Sequence, residues 1–286
     1  MDKSTPFISV VIPNFNRGEL LKETLGSLLR QDYGQWEAIV VDDGSGDNSV
    51  TVAEEFARKD PRIRFFQRDR SPSGAPTCRN IGIEKSSGDF LIFLDSDDLL
   101  QPFALSQRAA TILKDPDLDF WVFPILMFRD DPESASTLWN TDNGRSDLYR
   151  FLVLDAPWQT SGPVWRKEAV KKIGGFTEGL ACWQDVDFHL KALIAGLTGQ
   201  QYYSLPPDVL YRQHDINSVS QGEISSPEKL RSREDIFNRH MEALLPVLTR
   251  ETIEGLAILC GNIAVGSAKA LNTAITRKVM RTASGN

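Results

Sequence analysis

The sequence predicts an α/β fold built on a mostly parallel sheet with helices on its faces, and three observations carry that expectation. Apolar or β-branched runs begin at residues 7, 37, 63 and 90, spaced by 30, 26 and 27 residues, the length of a strand–helix–strand crossover. Segments with helical spacing of apolar residues fall between the first of these runs. The fourth run, Phe90-Leu91-Ile92-Phe93-Leu94, is wholly apolar, as a strand buried on both faces must be, and Asp95, Asp97 and Asp98 follow it immediately.

In chain order, Phe7-Ile8-Ser9-Val10-Val11-Ile12 is the first strand and Pro13 stops it. Leu21, Leu25, Leu28 and Leu29 then recur on one helical face. Glu37-Ala38-Ile39-Val40-Val41 is the second strand, followed by the amphipathic set Val50, Ala53, Phe56 and Ala57. Ile63-Arg64-Phe65-Phe66 is the third. After the fourth, Asp98 fits the N-cap of a helix opening at Leu99-Leu100-Gln101-Pro102. Phe120-Trp121-Val122-Phe123 and Pro163-Val164-Trp165-Arg166 extend the sheet, and Asp130 to Asp147, rich in Asp, Ser, Thr and Asn, reads as a long surface loop. Val186, Leu190, Leu193, Ile194 and Leu197 mark a later amphipathic helix, with His189 and His240 expected on helix surfaces. Ile236, Leu244, Leu245, Val247 and Leu248 suggest further helices near the end.

Composition sets limits on function. Against 39 acidic residues stand 32 basic ones, a net charge of −7, which disfavours nucleic acid as a partner because phosphate backbones are bound through clustered Lys and Arg. Cys78, Cys182 and Cys260 are odd in number and far apart, so neither a disulfide framework nor a structural zinc site is indicated. No signal-peptide pattern opens the chain, and the expected location is the cytoplasm. The stretch from Gly255 to Ala270 is apolar but interrupted by Asn262 and Lys269, too broken to span a bilayer. Lys269, Arg277, Lys278 and Arg281 leave the end basic, which makes peripheral contact with the inner face of a membrane an open alternative to packing or fraying.

The chemistry concentrates where strands end, and ligands of open α/β sheets bind beyond those carboxyl ends. Asp95 and Asp97 repel one another unless a cation compensates, and carboxylate oxygens suit Mg²⁺ or Mn²⁺. Asp42 and Asp43 precede the turn Gly44-Ser45-Gly46 and can accept hydrogen bonds from a base N–H or a ribose hydroxyl, while Asp47 or Asn48 caps the next helix. The loop Pro13-Asn14-Phe15-Asn16-Arg17 has no glycine, so neither the dinucleotide fingerprint nor the P-loop is present. Phe15 offers a stacking face for a base there, or simply packs.

Four motifs in order, Ser9-Val10-Val11-Ile12-Pro13-Asn14-Phe15-Asn16, Val40-Val41-Asp42-Asp43-Gly44-Ser45, Arg79-Asn80-Ile81-Gly82-Ile83 and Phe93-Leu94-Asp95-Ser96-Asp97-Asp98, resemble those of family 2 glycosyltransferases, inverting enzymes of GT-A fold. The resemblance covers roughly residues 5 to 220. It implies a GT-A domain over 1–220, with a nucleotide-sugar-binding half (1–100) and an acceptor half (101–220), and leaves 221–286 as a helical C-terminal extension. It also implies a nucleotide-diphosphate sugar donor, Mg²⁺ or Mn²⁺, and a glycan, lipid-linked or other hydroxyl acceptor. Pro13 and Phe15, with Asn16 beside them, would flank the base. Asp43, next to Asp42, would hydrogen-bond it, and Arg79 would lie near the diphosphate. Asp97 would be the metal ligand, and Asp95 would reach the ribose or metal-bound water.

Ile173-Gly174-Gly175-Phe176 resembles the family's G-G-F turn, and Trp183-Gln184-Asp185 stands where the family has its E-D motif. The resemblance makes Asp185 the general base, with Trp183 and Gln184 on the acceptor side; on residues alone Asp185 would be a helix cap. Gln184 replaces the usual Glu. The segment around Tyr211-Arg212-Gln213-His214 resembles the loop that closes over the donor, giving Arg212 a phosphate contact and His214 a reach toward metal or diphosphate, or else a solvated loop position. Two other classes remain in view. A non-catalytic sugar-nucleotide-binding module is motivated by Gln184. An aspartate phosphotransferase is disfavoured because such proteins carry D-x-D on the first strand.

Overall fold

The structure, a computed structural model, describes residues 5–139, 141–213, 226–244, 246 and 249–264. His214 and the basic stretch from Lys269 lie outside the described residues.

The chain runs β1 (Ile8–Asn14), α1 (Gly18–Leu29), β2 (Trp36–Asp42), α2 (Ser49–Lys59), β3 (Ile63–Gln67), α3 (Ala75–Lys85), β4 (Phe90–Phe93), β5 (Leu99–Leu100) and α4 (Ala104–Lys114). It continues with β6 (Phe120–Val122), β7 (Ile125–Phe128), β8 (Thr137–Leu138), α5 (Asp147–Leu152), β9 (Pro163–Arg166), α6 (Lys167–Lys172), α7 (Gln184–Ile194), β10 (Gly199–Gln201), β11 (Val209–Arg212) and α8 (Pro227–Leu244). Residues 250–264 are helical.

It divides into two compact units: Met1–Gly144 with Ala156–Gly179 and Ala195–Gln213, and Arg145–Asp155 with Leu180–Ile194 and His214–Asn286. Residues 101–213 contribute to both units, and α8 lies in the second with α5 and α7.

The first unit is a seven-stranded sheet in the order β10-β6-β9-β4-β1-β2-β3, with β5-β11-β7-β8 as a smaller second sheet. β1 pairs in parallel with β2 and β4, β2 with β3, and β10 with β6, while β9 runs antiparallel between β4 and β6. The expected mostly parallel sheet is therefore present, with both later runs as β6 and β9. Every residue of β1 and β2 is buried, because side chains leave both faces into apolar layers. On one face Val10, Ile12, Ala38 and Val40 pack with Leu21, Leu25 and Leu28 of α1, Ala53 of α2, and Leu105 and Ile112 of α4. On the other, Ile39 and Val41 meet Cys78 and Ile81 of α3. α3 lies so close to β1 that a Cβ on Gly82 would stand 2.2 Å from Val11 Cγ1.

Three expectations are corrected. Asp98 caps no helix: Leu99–Leu100 is a strand paired with β11, α4 begins at Ala104, and Asp98 is fully buried. His189 and His240 are buried rather than on helix surfaces, since α7 and α8 turn those faces inward. Pro13 does not stop β1, which runs on to Asn14 with Pro13 opposite Val41. The expected surface loop over 130–147 is largely exposed, with a 3₁₀ turn (Pro132–Ser134) and β8 within it.

The second unit packs α5, α7, α8 and the helix over 250–264, with Phe151, Phe188, Ile236, Leu256 and Leu259 buried. Among the described residues no helix is long and apolar enough to cross a membrane.

Candidate active site

β1, β2, β3 and β4 are parallel, so their carboxyl ends emerge on one edge, with Asn14 opposite Asp42 and Asp42 opposite Gln67. Asp42 is spent on the turn that follows it. Its Oδ1 accepts the N–H groups of Gly44 (3.0 Å) and Ser45 (2.8 Å), and its Oδ2 accepts Asn14 Nδ2 (2.9 Å) and the Ser45 hydroxyl (2.5 Å). Gly44 sits at φ +89°, a conformation that favours glycine. Asn16, itself at φ +51°, clasps the same turn, its Oδ1 accepting Gly46 N–H at 2.7 Å and its own N–H reaching Ser45 Oγ at 2.8 Å. Pro13 is buried within β1, and Phe15, held between two anchored asparagines, is 54% exposed.

Asp43 faces differently. It pairs with the Arg68 guanidinium and accepts Gly74 N–H at 2.8 Å, with Cys78 Sγ 3.8 Å away. Burial first, then the Asp43 charge, pushes the Cys78 thiol up to about 12, so it stays a neutral thiol.

The acids after β4 separate into two kinds. Asp95 Oδ1 accepts Arg79 Nη2 at 2.6 Å, and Asp97 is paired with Arg17. Arg79 is nearly buried in α3, its guanidinium 5.1 Å from the Phe176 ring centroid and its Nε without a hydrogen-bond partner. Asp98 instead turns inward, accepting Ser161 Oγ at 2.8 Å and the Arg212 backbone N–H at 3.0 Å, while its carbonyl accepts Thr24 Oγ1 at 2.9 Å. Burial, then the charges of Asp97 and Asp95, holds the Asp98 carboxyl well above the usual range. Arg212 sends Nε to the Asp97 carbonyl at 3.1 Å and Nη2 to Glu23, so β11 braces the acidic turn from inside the first unit.

Oxygen-only donors on Asp95 and Asp97 fit a hard divalent ion. Among the described residues no three His, Cys, Asp or Glu side chains gather around one point, so such an ion would draw on one or two carboxylates and on donor phosphates, the usual pattern for Mg²⁺.

In the second unit Trp183 adopts φ +54°, and its carbonyl accepts Asp187 N–H at 2.9 Å as α7 begins. Gln184 Nε2 donates to the Leu180 carbonyl at 3.0 Å. Asp185 stands half-buried in the first helical turn, its Oδ1 accepting Val186 N–H at 2.9 Å. Asp187 is buried, bound by Arg239 Nη1 at 2.8 Å and by His240 Nε2 at 3.0 Å, with Lys191 Nζ 3.8 Å away. Burial pushes the Lys191 ammonium below its ordinary range.

The model of glycosyl transferase family 2 matches residues 9–174. The chain belongs to that family. Its curated relatives include the GalNAc(5)-diNAcBac-PP-undecaprenol beta-1,3-glucosyltransferase of Campylobacter jejuni, 39% identical over 101 residues (35% of this chain, 33% of that protein). Glycosyltransferase GlyG of Streptococcus pneumoniae is 38% identical over 94 residues (33% and 31%). The matches thus span about a third of each relative's length. Among solved structures, S. aureus TarS 1-349 in complex with UDP-GlcNAc superposes with a TM-score of 0.68 at 21% identity, covering 88% of this chain and 70% of that one. Mannosyltransferase PcManGT of Pyrobaculum calidifontis, in complex with GDP-Man and Mn²⁺, gives 0.59 at 16% identity (96% and 80%). Both likenesses show the fold, a GT-A-type sheet.

Arg17 and Arg68, the guanidiniums that meet Asp97 and Asp43, were not singled out in the sequence. Arg17 had a signal, a lone cation in the glycine-free loop after β1, whereas Arg68 lies just past a strand and gains meaning only beside Asp43.

Proposed function

We propose that this family 2 member is an inverting glycosyltransferase that moves a sugar from a nucleotide-diphosphate sugar to an acceptor hydroxyl in polysaccharide or glycoconjugate assembly. The observation that carries the reading is the Asp95–Ser96–Asp97 turn at the carboxyl end of β4, with Arg79 and Arg17 on its two carboxylates. Phe15, Asn16 and Asp43 form the nucleoside end, Phe15 stacking on the base and Asp43 accepting a base N–H, while Asp42 keeps the turn in shape. Arg79 supplies positive charge toward the diphosphate, while Arg212, expected on a loop over the donor, lies in β11 and braces the acidic turn through the Asp97 carbonyl and Glu23. A Mg²⁺ or Mn²⁺ held by Asp97 with Asp95 would neutralise charge on the departing nucleoside diphosphate.

In the reaction the acceptor oxygen bonds to the anomeric carbon, the bond from that carbon to the diphosphate oxygen breaks, and the acceptor proton passes to the Asp185 carboxylate. Trp183 and Gln184 line the acceptor side. The named acceptor of the Campylobacter relative is linked through PP-undecaprenol, which supports a lipid-linked glycan as the class to try first. Gln184, where the family carries Glu, favours one rival reading, a binding module without turnover.

The test is nucleoside diphosphate release from UDP-GlcNAc, UDP-glucose, GDP-mannose and dTDP-glucose with Mn²⁺. Turnover of one donor excludes the binding module. Asp185→Asn should then lower kcat by roughly 10²–10⁴-fold with donor affinity unchanged, because a base acts in the transition state. Asp185 lies inside the first turn of α7, where Asn keeps a side-chain oxygen for the Val186 N–H, so a folded, donor-binding Asp185→Asn protein working at the parent rate would show that Asp185 serves the helix start alone.

A further inference from the structure

α8 lies beyond the segment matched by the family model, and no motif gave it a role. Yet one face of it meets the short segment that carries Asp185, all within the second unit. The Lys229 carbonyl accepts Cys182 Sγ–H at 3.4 Å, and Ser232 Oγ accepts Ala181 N–H at 2.9 Å. The Arg233 guanidinium lies 4.7 Å from the Trp183 ring centroid. Arg239 and His240 bind Asp187. Residues 229, 232, 233, 236 and 240 recur at three- and four-residue spacing, one stripe of an α-helix, and Ser232, Arg233, Ile236 and His240 on it are buried.

The geometry of α7 explains what this stripe does. Residues two apart on a helix point about 200° apart, so a grip on Asp187 holds the first turn from the side opposite Asp185. Trp183 immediately before the helix has positive φ, a conformation that persists in a bulky residue only when its surroundings impose it. The Arg233 stack and the two bonds to residues 181 and 182 are those surroundings.

We propose that α8 positions the general base: Arg233 through Trp183, and Arg239 and His240 through Asp187, fix the first turn of α7 and thereby the direction of Asp185. This rests on the reading of Asp185 as base. Arg233 and His240 are positioning residues and touch no reacting atom.

The experiment uses the full chain. His240→Leu removes one hold on Asp187, and His240→Gln keeps an N–H there; Arg233→Leu removes the stack, and Arg233→Lys keeps the charge without the planar face. Hydrogen exchange should speed at the Val186 and Asp187 amides in both Leu variants, with protection in β1 and β4 unchanged. Nucleoside diphosphate release from the four-donor panel should fall roughly 10- to 100-fold in kcat, the scale of a misplaced catalytic group. Affinities for UDP, GDP and dTDP should stay within about twofold, and Gln at 240 should restore most of the rate. Unchanged amide exchange, parent-rate turnover in folded Leu variants, or equal losses of binding and turnover would each overturn the proposal. If His240→Leu does not fold, the Arg233 pair decides by the same criteria. Failure of the base reading is separate, because it shows in Asp185→Asn alone.

Discussion

Glu37 sits near the start of β2, five residues before Asp42, and like it is a buried carboxylate held by hydrogen bonds. Glu37 accepts Ser9 Oγ at 2.8 Å, Arg64 Nη1 at 2.9 Å and the Ser87 backbone N–H. Burial alone would raise its pKa, but the bonds from Ser87, Ser9 and Arg64 outweigh burial and hold the carboxyl below its ordinary range. A depressed carboxylate contributes stability that is complete above the unfolded-state pKa, about 4.3, and is lost as pH falls through the lower folded value. Glu37→Gln should therefore cost about 1–3 kcal/mol at pH 7, the worth of charged hydrogen bonds, and the gap to the parent should narrow as pH falls from 5 to 3. Urea midpoints across that range measure it, and a constant gap would mean Glu37 contributes shape alone. Such environments are what a sequence hides. Asp97 and Asp98 are neighbours, and local rules read the second as a cap; Ser161 and Arg212, 63 and 114 residues further on, draw it into the core.

Among elements, the β1–β4 run was legible because each strand is a nearly continuous apolar stretch and each crossover has the length of a helix. β5, β8 and β10 were not, since two- and three-residue strands carry no period of their own and exist through pairing, β5 and β10 with strands far along the chain and β8 with β7 across a loop. The second unit was illegible for a related reason: α5, α7 and α8 come from separate stretches, and His189 and His240 look solvated until those helices meet. Gly82 in α3 and Gly26 in α1 make a paired test of packing against propensity. Ala is favoured over Gly in a helix by about 1 kcal/mol. At Gly26 the nearest foreign atom to a new Cβ is the end of Arg30, 3.4 Å away, so Gly26→Ala should stabilise by up to about that amount. At Gly82 the Cβ would stand 2.2 Å from Val11 Cγ1 and 3.2 Å from Val11 Cβ, inside a filled layer. Overpacking of that kind costs about 1–3 kcal/mol and exceeds the propensity gain, so Gly82→Ala should lower the urea midpoint while Gly26→Ala raises it.

For the molecule as a whole, ligand and fold are linked by mass action. A nucleotide that binds the native chain at a hundred times its Kd adds about 2.7 kcal/mol of stability. For a chain of this size that corresponds to roughly 5–11 °C in Tm. If Asp97 with Asp95 holds a divalent ion that in turn meets the diphosphate, that rise should need Mn²⁺ or Mg²⁺, vanish in chelator and be lost in Asp97→Ala. Asp43→Ala separates the nucleoside end from the phosphate end. It should weaken UDP, GDP or dTDP binding in Mn²⁺ and weaken binding of the bare nucleosides in chelator as well, because a base N–H bonded to Asp43 does not depend on the ion. A full Tm rise in chelator would remove the metal from the site and leave Arg17 and Arg79 as the cations on which Asp97 and Asp95 rely. That result would also change the expected effect of salt. Arg17 keeps 30% of its side chain exposed, so its contact with a diphosphate would be screened within a Debye length of about 8 Å at physiological ionic strength and affinity would fall with added NaCl, whereas a contact from the buried Arg79 would be screened much less.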